Sequence, residues 1–413
     1  METYKELAEL AQQHGSPYYI FDREAFIRNF KEIRTAFTQR YPFVTIGYSY
    51  KTNYIPYLCQ LVQNLGGYAE VVSRLELDLA LKIGCPPEEI IYNGPIKGAA
   101  DIAFALTSGV TVNIDTIREL EFVMNLARQQ PEKTFRIGLR INISLVDSQG
   151  KSHLQNDFPS GRFGFSDNAL KAAVRLLRDF PNVQVSSLHG HTSSSNRSLW
   201  GYRTIATKLA EVGERYFPES IAFLNVGGGF YGRPAPSMGL TDTPTFDDYA
   251  ETICDVLAQY PWIKDQQPHL VIEPGMAVAA DTLSFITQVF EVKRIDNQRL
   301  AVVDGSIFNV KPTLHQRNHP YSIIKKESGA GPKVVYHIVG ATCMEKDRLL
   351  QEIESVEIER EDFIRIENVG AYTVVMTPPF INLAPPIVVR GPKGYMAIRR
   401  RQDFNDIFGS YLF

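Results

Sequence analysis

Between residues 44 and 273 the chain keeps repeating one pattern: a short run rich in β-branched and aromatic residues, followed in most cases by a segment of helical length. The β-rich runs fall at about 44–50, 68–72, 89–93, 110–114, 135–142, 184–191, 221–226 and 268–273. Amphipathic stretches such as RLELDLALKIG, TIRELEFVMNLARQQ and NALKAAVRLLRDF lie between them. Strands alternating with helices imply βα units and a parallel sheet, since a parallel return needs a crossover long enough to hold a helix. Eight strands is the number that closes a (β/α)8 barrel, although a doubly wound sheet obeys the same crossover rule. Ahead of the first run, Asp22 is placed to cap a helix over DREAFIRNFKEIRTAF. Its Phe26, Ile27, Phe30, Ile33 and Phe37 form one apolar stripe.

The pattern changes after about residue 280. TLSFITQVFEVKRI, LAVVDGS, KVVYHIVG and DFIRIENVG read as strands with few helices among them, and PPFINLAPP is too rich in proline for a central strand. The expected organisation is a segment at 1–24 whose SPYYIFD adds a strand to a β domain, a barrel at 25–280, and the mainly β domain at 281–413. Residues 143–166 are long for a βα loop, which marks them as functional or mobile. Lys+Arg total 43 against 46 Asp+Glu, so charge gives no case for nucleic acid or an anionic membrane. No apolar run is long enough to span a bilayer, and the start METYKELAELAQQHG lacks the order of a signal peptide. Cys59, Cys85, Cys254 and Cys343 are scattered, which argues against a disulfide framework or a metal site and for a cytoplasmic setting.

Chemistry in a barrel sits at the C-terminal ends of its strands. Those positions carry Lys51, Ser73, Asn93, Asp115, Asn142, His191, Gly227–Gly228–Gly229 and Glu273. A strand-end lysine can form a Schiff base with a carbonyl compound, or it is simply solvated. Three successive glycines can turn their amides on an anion, or form a tight turn. Gly227 to Gly229 follow the seventh run, and Glu273–Pro274–Gly275 the eighth, where barrels commonly hold phosphate. Glu273 can bond a protonated ring nitrogen or cap a helix. His191 can lie against a flat ring or act as acid or base, and Ser194 can bind phosphate or form a turn. Taken together they suit a pyridoxal phosphate site, with lysine for the aldehyde, amides for the phosphate, and a carboxylate for the ring nitrogen.

With those residues in place, the chain resembles the fold-type III pyridoxal phosphate decarboxylases, the diaminopimelate and ornithine decarboxylase group, over about residues 17–385. YSYKTN is similar to the family's Y-x-x-K-x-N, AEVVSRLELDLALKIG to its V-V-S-x-x-E-L, HGHTSS to H-x-H-I-G-S, LNVGGGF to its glycine motif, and IEPG to E-P-G. VVDGSIFN, GATCMEKD and GAYTVVM resemble its D-x-G, G-x-x-C-x-x-x-D and G-A-Y motifs. The resemblance implies an α/β fold, an alanine racemase-like barrel plus a β domain. It also implies pyridoxal phosphate as cofactor and a homodimer with shared active sites. It makes Lys51 the cofactor lysine, sets His191 on the cofactor face, and brings Ser194, Gly227, Gly228, Gly229, Gly275 and Tyr372 to the phosphate side. Glu273 holds the ring nitrogen. Cys343 and Asp347 enter from the partner subunit, with Cys343 as the acid in decarboxylation; Tyr48 is a weaker site candidate.

The resemblance fails where substrate is read. Family members acting on diaminopimelate carry Arg after E-P-G, Glu after the catalytic Cys, and an R-P-x-x-Y segment. Here these positions hold Met276, Met344, and Lys311 with His315. A bidentate arginine is not replaced conservatively. The expected substrate is therefore an amino acid or amino-acid conjugate other than diaminopimelate. Lys311, His315, Arg317 and His319 form a basic cluster suited to another carboxylate, a carrier-bound group or a bulkier conjugate, or to solvent. Competing readings are an amino-acid racemase on the same barrel, a non-catalytic protein that binds the cofactor, and a barrel enzyme acting on sugar phosphates.

Overall fold

The computed structural model describes residues 2–194, 196–233, 239–240, 242–327, 331–391 and 394–412. Eight parallel strands close into a barrel: Val44–Ser49, Tyr68–Val71, Ile90–Tyr92, Thr111–Ile114, Phe135–Arg140, Val183–His189, Phe223–Asn225 and His269–Ile272. Each lies within its β-rich run, give or take a residue. The doubly wound alternative falls because the first strand pairs with the last, Thr45 opposite Val271. The strands are short, and their buried faces are branched or aromatic, as with Ile46, Tyr48, Val71, Val112, Ile137 and Leu139.

The helices start where hydroxyl side chains cap them. Ser73, Thr116, Ser166, Ser198 and Thr245 each accept a hydrogen bond from the amide three residues on. Such a cap contributes about 1 kcal/mol. Two of these starts carry a second clamp. Glu76 Oε2 accepts from the Val72 amide and Glu119 Oε2 from the Asp115 amide, both at 2.8 Å. Each carboxylate ties the end of a barrel strand to the helix that follows, which stiffens the rim. Asp22 caps as its sequence suggests, with Oδ1 accepting from the Ala25 amide at 2.9 Å ahead of the helix Arg23–Thr38.

By its contacts the chain forms two compact units. One comprises Asn29–Gly232 and Thr243–Ala277; the other comprises Met1–Arg28, Arg233–Asp242 and Val278–Phe413. The second unit is built on a nine-stranded sheet. Tyr18–Phe21 lies in it between Leu283–Ile295, antiparallel, and Ile387–Gly391, parallel. Leu283–Ile295 serves two further partners, Gln298–Val303 and Phe363–Ile366, and a register shift at Val289/Glu291 divides its pairing. Strands at Tyr321–Ile324, Arg348–Ser355, Ile387–Gly391 and Gly394–Arg399, and a helix at Tyr4–His14, add to those read from sequence. No strand forms over 378–386.

The long loop after the fifth barrel strand is folded. Val146 bridges Ser152, the His153 amide bonds Leu145 O at 2.8 Å, and Asp147 Oδ2 meets His153 Nε2 at 2.8 Å. A bridge from Leu154 to Ser194 fastens it to the loop after the sixth strand.

Candidate active site

Lys51 follows the first barrel strand in a single 3-10 turn, Tyr50–Thr52. Its ammonium contacts Glu70 Oε2 and lies 2.6 Å from Ser49 Oγ, which donates to the same carboxylate oxygen. Glu70 comes from the second strand and is buried. Its other oxygen accepts from Asn93 Nδ2 at 2.9 Å. The same amide nitrogen donates to Glu273 Oε1 at 2.7 Å, so Asn93 bridges two carboxylates. Asn113 Nδ2 donates to Asn93 Oδ1 at 2.8 Å and fixes which way that amide points. Asn225 Nδ2 adds a second bond to Glu273 Oε1 at 2.6 Å. Barrel closure thus joins Lys51, Glu70, Asn93 and Glu273 in one hydrogen-bonded line.

Glu273 Oε1 is saturated by two amides, while Oε2 faces His189 Nε2 at 3.4 Å, an ion-pair distance. Burial opposes charge on Glu273, but the imidazole of His189 and the ammonium of Lys51 outweigh it and hold the carboxyl well below its usual range. In His191 a downward shift favours the neutral form instead. Burial, reinforced by Arg140 and Lys51, brings its pKa down to about 3. Its Nδ1 accepts from the Gly228 amide at 3.2 Å, so the neutral ring carries its proton on Nε2. Arg140 is held by Asp115 at 3.5 Å, and its Nη2 reaches the His191 carbonyl at 3.4 Å.

The glycine loop is shaped by what surrounds it. Gly227 and Gly229 have φ of +71° and +95°, values that favour glycine. A Cβ on Gly228 would collide with the Glu273 carbonyl, and one on Gly227 with the His191 ring. Tyr202 donates its hydroxyl to Gly228 O at 2.9 Å from a cluster with Phe230 and Tyr249, whose ring centroids lie 4.7 and 4.9 Å from that of Tyr202. Two of the three glycine amides are committed inside the chain: Gly227 N–H to Asn225 Oδ1 at 2.9 Å, and Gly228 N–H to His191 Nδ1. This departs from a cradle in which all three amides are open to an anion. Gly275 packs on Thr52, where a Cβ would meet Oγ1, and that buried hydroxyl has no hydrogen-bond partner among the described residues.

Other residues named from sequence have structural duties here. Ser73 is a helix cap. Asn142 Nδ2 donates to Gly161 O and Phe163 O and pins the long loop. The Tyr48 hydroxyl is spent on Asn53 O at 3.0 Å inside the core, so the weaker reading of Tyr48 as a site residue gives way to a packing role. Ser194 is placed by its backbone bridge, and Ser195 lies outside the described residues. Glu70, Arg140, His189 and Asn225 escaped the sequence reading because it took residues just past the strands. Arg140, His189 and Asn225 are the last residues of their strands and Glu70 the last but one, and stepping back by two, as from His191 to His189, was the signal that finds them.

The β unit holds the remaining candidates. Cys343 and Tyr372 are exposed, and Tyr372 has φ +56°. Met344 is half-buried. Asp347 is buried: Oδ1 accepts from the Ile307 amide at 2.6 Å, and Oδ2 from Thr342 N and Oγ1 at 2.9 and 2.6 Å. It therefore holds the loop that carries Cys343, with no oxygen left unbonded. Lys311 is 1% exposed and has no carboxylate partner among the described residues. Its Nζ makes one long bond to Arg317 O at 3.4 Å, and burial brings its pKa down to about 8. His315 stacks on His319 with centroids 5.4 Å apart. His319 Nδ1 lies 3.1 Å from Glu367 O, while its buried Nε2 has no partner among the described residues. No described helix is long and apolar enough to cross a membrane, and the described residues contain no cluster of three metal-ligating side chains.

Comparison with known proteins gives a consistent result. The family model for the pyridoxal-dependent decarboxylase, pyridoxal binding domain, matches residues 23–280. The diaminopimelate decarboxylase of Aquifex aeolicus is 27% identical over 409 residues, covering 97% of this chain and 93% of its own. That of Helicobacter pylori strain J99 is 26% identical over 406 residues, covering 97% and 96%. The crystal structure of diaminopimelate decarboxylase from Helicobacter pylori complexed with L-lysine superposes with a TM-score of 0.84 at 25% identity, covering 98% of both chains.

Proposed function

The chain belongs to the pyridoxal-dependent decarboxylases, and from that premise we propose that it removes CO2 from an amino acid whose far end carries an anion and no ammonium group. The enzyme class and the cofactor, pyridoxal phosphate, come with the family. The residues suit that cofactor. There is a Gly229 amide and a buried Thr52 hydroxyl beside Gly275, each without a partner among the described residues, and a Glu273 oxygen free of amide donors. When bound, pyridoxal phosphate supplies an electron-withdrawing ring that accepts the electron pair left by departing CO2.

Each residue has a task in this reading. Lys51 would hold the cofactor's aldehyde end, and Glu70 with Ser49 is placed to accept from its ammonium whenever the lysine is free. Glu273, kept ionised, accepts from a proton on the ring nitrogen through Oε2. His191 packs against the cofactor as a neutral ring and adds no charge that would compete for electrons. Ser194, Gly229, Gly275 and Tyr372 serve the phosphate. The thiol of Cys343, on the loop fastened by Asp347, returns a proton to the carbon that lost CO2, and it acts from the partner subunit of a homodimer. Four free cysteines, three of them buried, fit a reducing cytoplasm.

The observation that carries the substrate reading is Lys311, a buried cation with no carboxylate partner among the described residues. A charge in that position costs several kcal/mol unless a counter-ion arrives. An anionic substrate group is such a counter-ion, and burial together with the Lys311 charge favours the neutral forms of His315 and His319, which leaves Lys311 as the charge that reads it. Met344, where the family's diaminopimelate enzymes carry glutamate, offers nothing to an ammonium group. The test is CO2 release by the cofactor-loaded protein from 2-aminopimelate and from diaminopimelate, which share a far carboxylate and differ by one amine. A kcat/KM for 2-aminopimelate at least equal to that for diaminopimelate is expected. A strong preference for diaminopimelate overturns the substrate reading, and inverted stereochemistry with CO2 retained makes the enzyme a racemase.

A further inference from the structure

Three buried or half-buried cations at the open end of the barrel have carboxylate partners: Lys51 has Glu70, Lys97 has Glu119 at 3.0 Å, and Arg140 has Asp115. Arg197, itself half-buried, differs from these three. It makes no ion pair among the described residues, and none of the residues outside the description is acidic. Its guanidinium nonetheless has a defined place. Cζ lies 4.7 Å over the Tyr231 ring, Nη1 is 3.4 Å from Phe230 O, and Nη2 is 3.6 Å from Met276 Sδ. These contacts set it between the end of the glycine loop and the segment that follows Glu273–Pro274–Gly275. They are weak, long or apolar, so its hydrogen-bonding capacity is largely unspent.

The backbone pays for this placement. Arg197 has φ +46°, a left-handed conformation that disfavours a long side chain. Its carbonyl is clamped by the Tyr249 hydroxyl at 2.9 Å, and Tyr249 belongs to the aromatic cluster that also carries the glycine loop. One cluster thus positions both the loop and the cation. The loop has a deficit that the cation would fill. With the Gly227 and Gly228 amides already bonded inside the chain, only the Gly229 amide is left without a partner among the described residues. One amide is a poor match for a dianion.

We infer that Arg197 is a phosphate-binding residue, a guanidinium supplied by the loop after the sixth strand to neutralise the cofactor phosphate at the glycine loop. This rests on the cofactor reading above. A guanidinium presents paired N–H groups to phosphate oxygens, and such charge-assisted bonds are about twice as strong as neutral ones. The contact involves phosphate alone, so it leaves the ring and the aldehyde untouched.

That selectivity supplies the test. Dissociation constants for pyridoxal phosphate and for pyridoxal, which lacks the phosphate, are measured by quenching of protein fluorescence in the wild type, Arg197→Gln and Arg197→Lys, with circular dichroism to confirm folding. Arg197→Gln is expected to weaken pyridoxal phosphate at least tenfold and to leave pyridoxal within twofold, and Arg197→Lys to recover part of the loss. Equal weakening of both ligands, or of neither, overturns the inference. So does a change confined to the KM of the amino-acid substrate, which would assign the guanidinium to a substrate carboxylate. A wild type that does not bind pyridoxal phosphate overturns the cofactor reading as well, whereas a wild type that binds while Arg197→Gln binds equally overturns this inference alone.

Discussion

Replacing Lys311 with methionine should make the protein more stable and a worse enzyme. Methionine keeps the length and flexibility of the lysine stem and removes the charge. The magnitude follows from the cost of burying that charge. The Lys311 ammonium titrates at about 8 in the folded protein against an ordinary 10.5. That gap of about 2.5 pH units corresponds to roughly 3 kcal/mol. Because the folded value is the lower one, the penalty is fully present below pH 8, where both folded and unfolded chains are protonated. Between pH 8 and 10.5 the unfolded chain holds more protons than the folded one, so wild-type stability rises with pH and the penalty disappears. Lys311→Met should therefore exceed wild type by about 3 kcal/mol at pH 7 and match it near pH 10.5, read from urea unfolding at both pH values. An anionic substrate, by contrast, loses its counter-ion in the variant. Truncating one side of a buried charge pair costs about 2 kcal/mol or more, a KM higher by roughly 30-fold. In the wild type the same KM should climb above pH 8 as Lys311 loses its proton. A variant that is less stable at pH 7, or one whose KM is unchanged, would refute the reasoning.

Three further outcomes follow from the barrel and the Cys343 loop. Gly228→Ala places a Cβ against the Glu273 carbonyl; a cofactor dissociation constant raised at least tenfold in a folded variant is expected, by absorbance titration, and unchanged affinity would show that the loop yields cheaply. His191 titrates at about 3 when folded against 6.5 when free, so stability should fall as pH drops from about 6.5 towards 3. His191→Gln should unfold at lower pH than wild type in an acid titration followed by circular dichroism, and coincident curves would contradict the burial of a neutral ring. Asp347→Ala leaves three donors around a buried site unsatisfied. A loss of about 3 kcal/mol in urea unfolding is expected, with slower CO2 release because the Cys343 loop loosens; a neutral effect on both would show that the loop is held elsewhere.

The barrel was legible because its cause is local. Each strand is an apolar run ended by turn residues, each helix an amphipathic stretch opened by a hydroxyl cap, and both signals sit within about a dozen residues. The β unit was less legible. Arg348–Ser355 and Gly394–Arg399 mix charged and apolar residues, and each is a strand through antiparallel pairing with the strand just before it, Val334–Val339 and Ile387–Gly391. At the site, Lys51, His191 and Glu273 stood out as reactive types at strand ends. Glu70 and Asn93 acquire their roles only when closure brings them to a glutamate 180 residues beyond Asn93. Ser73 and Asn142 show the opposite error. A helix cap and a ligand call for the same side chain at the same position, and only the hydrogen-bond partners tell them apart. The glycine tract was recognised as special for its open amides, whereas two of them turn inward and close packing accounts for the glycines at 227 and 228.

The central claim is that pyridoxal phosphate is held by Lys51 at the mouth of this barrel. Borohydride reduction of the cofactor-loaded protein, digestion and mass spectrometry test it directly, because reduction fixes the cofactor to whichever lysine holds it. The account predicts the added mass on the peptide carrying Lys51 and its loss in Lys51→Ala. Labelling of Lys97 or Lys311 instead, or an unlabelled protein, would contradict it.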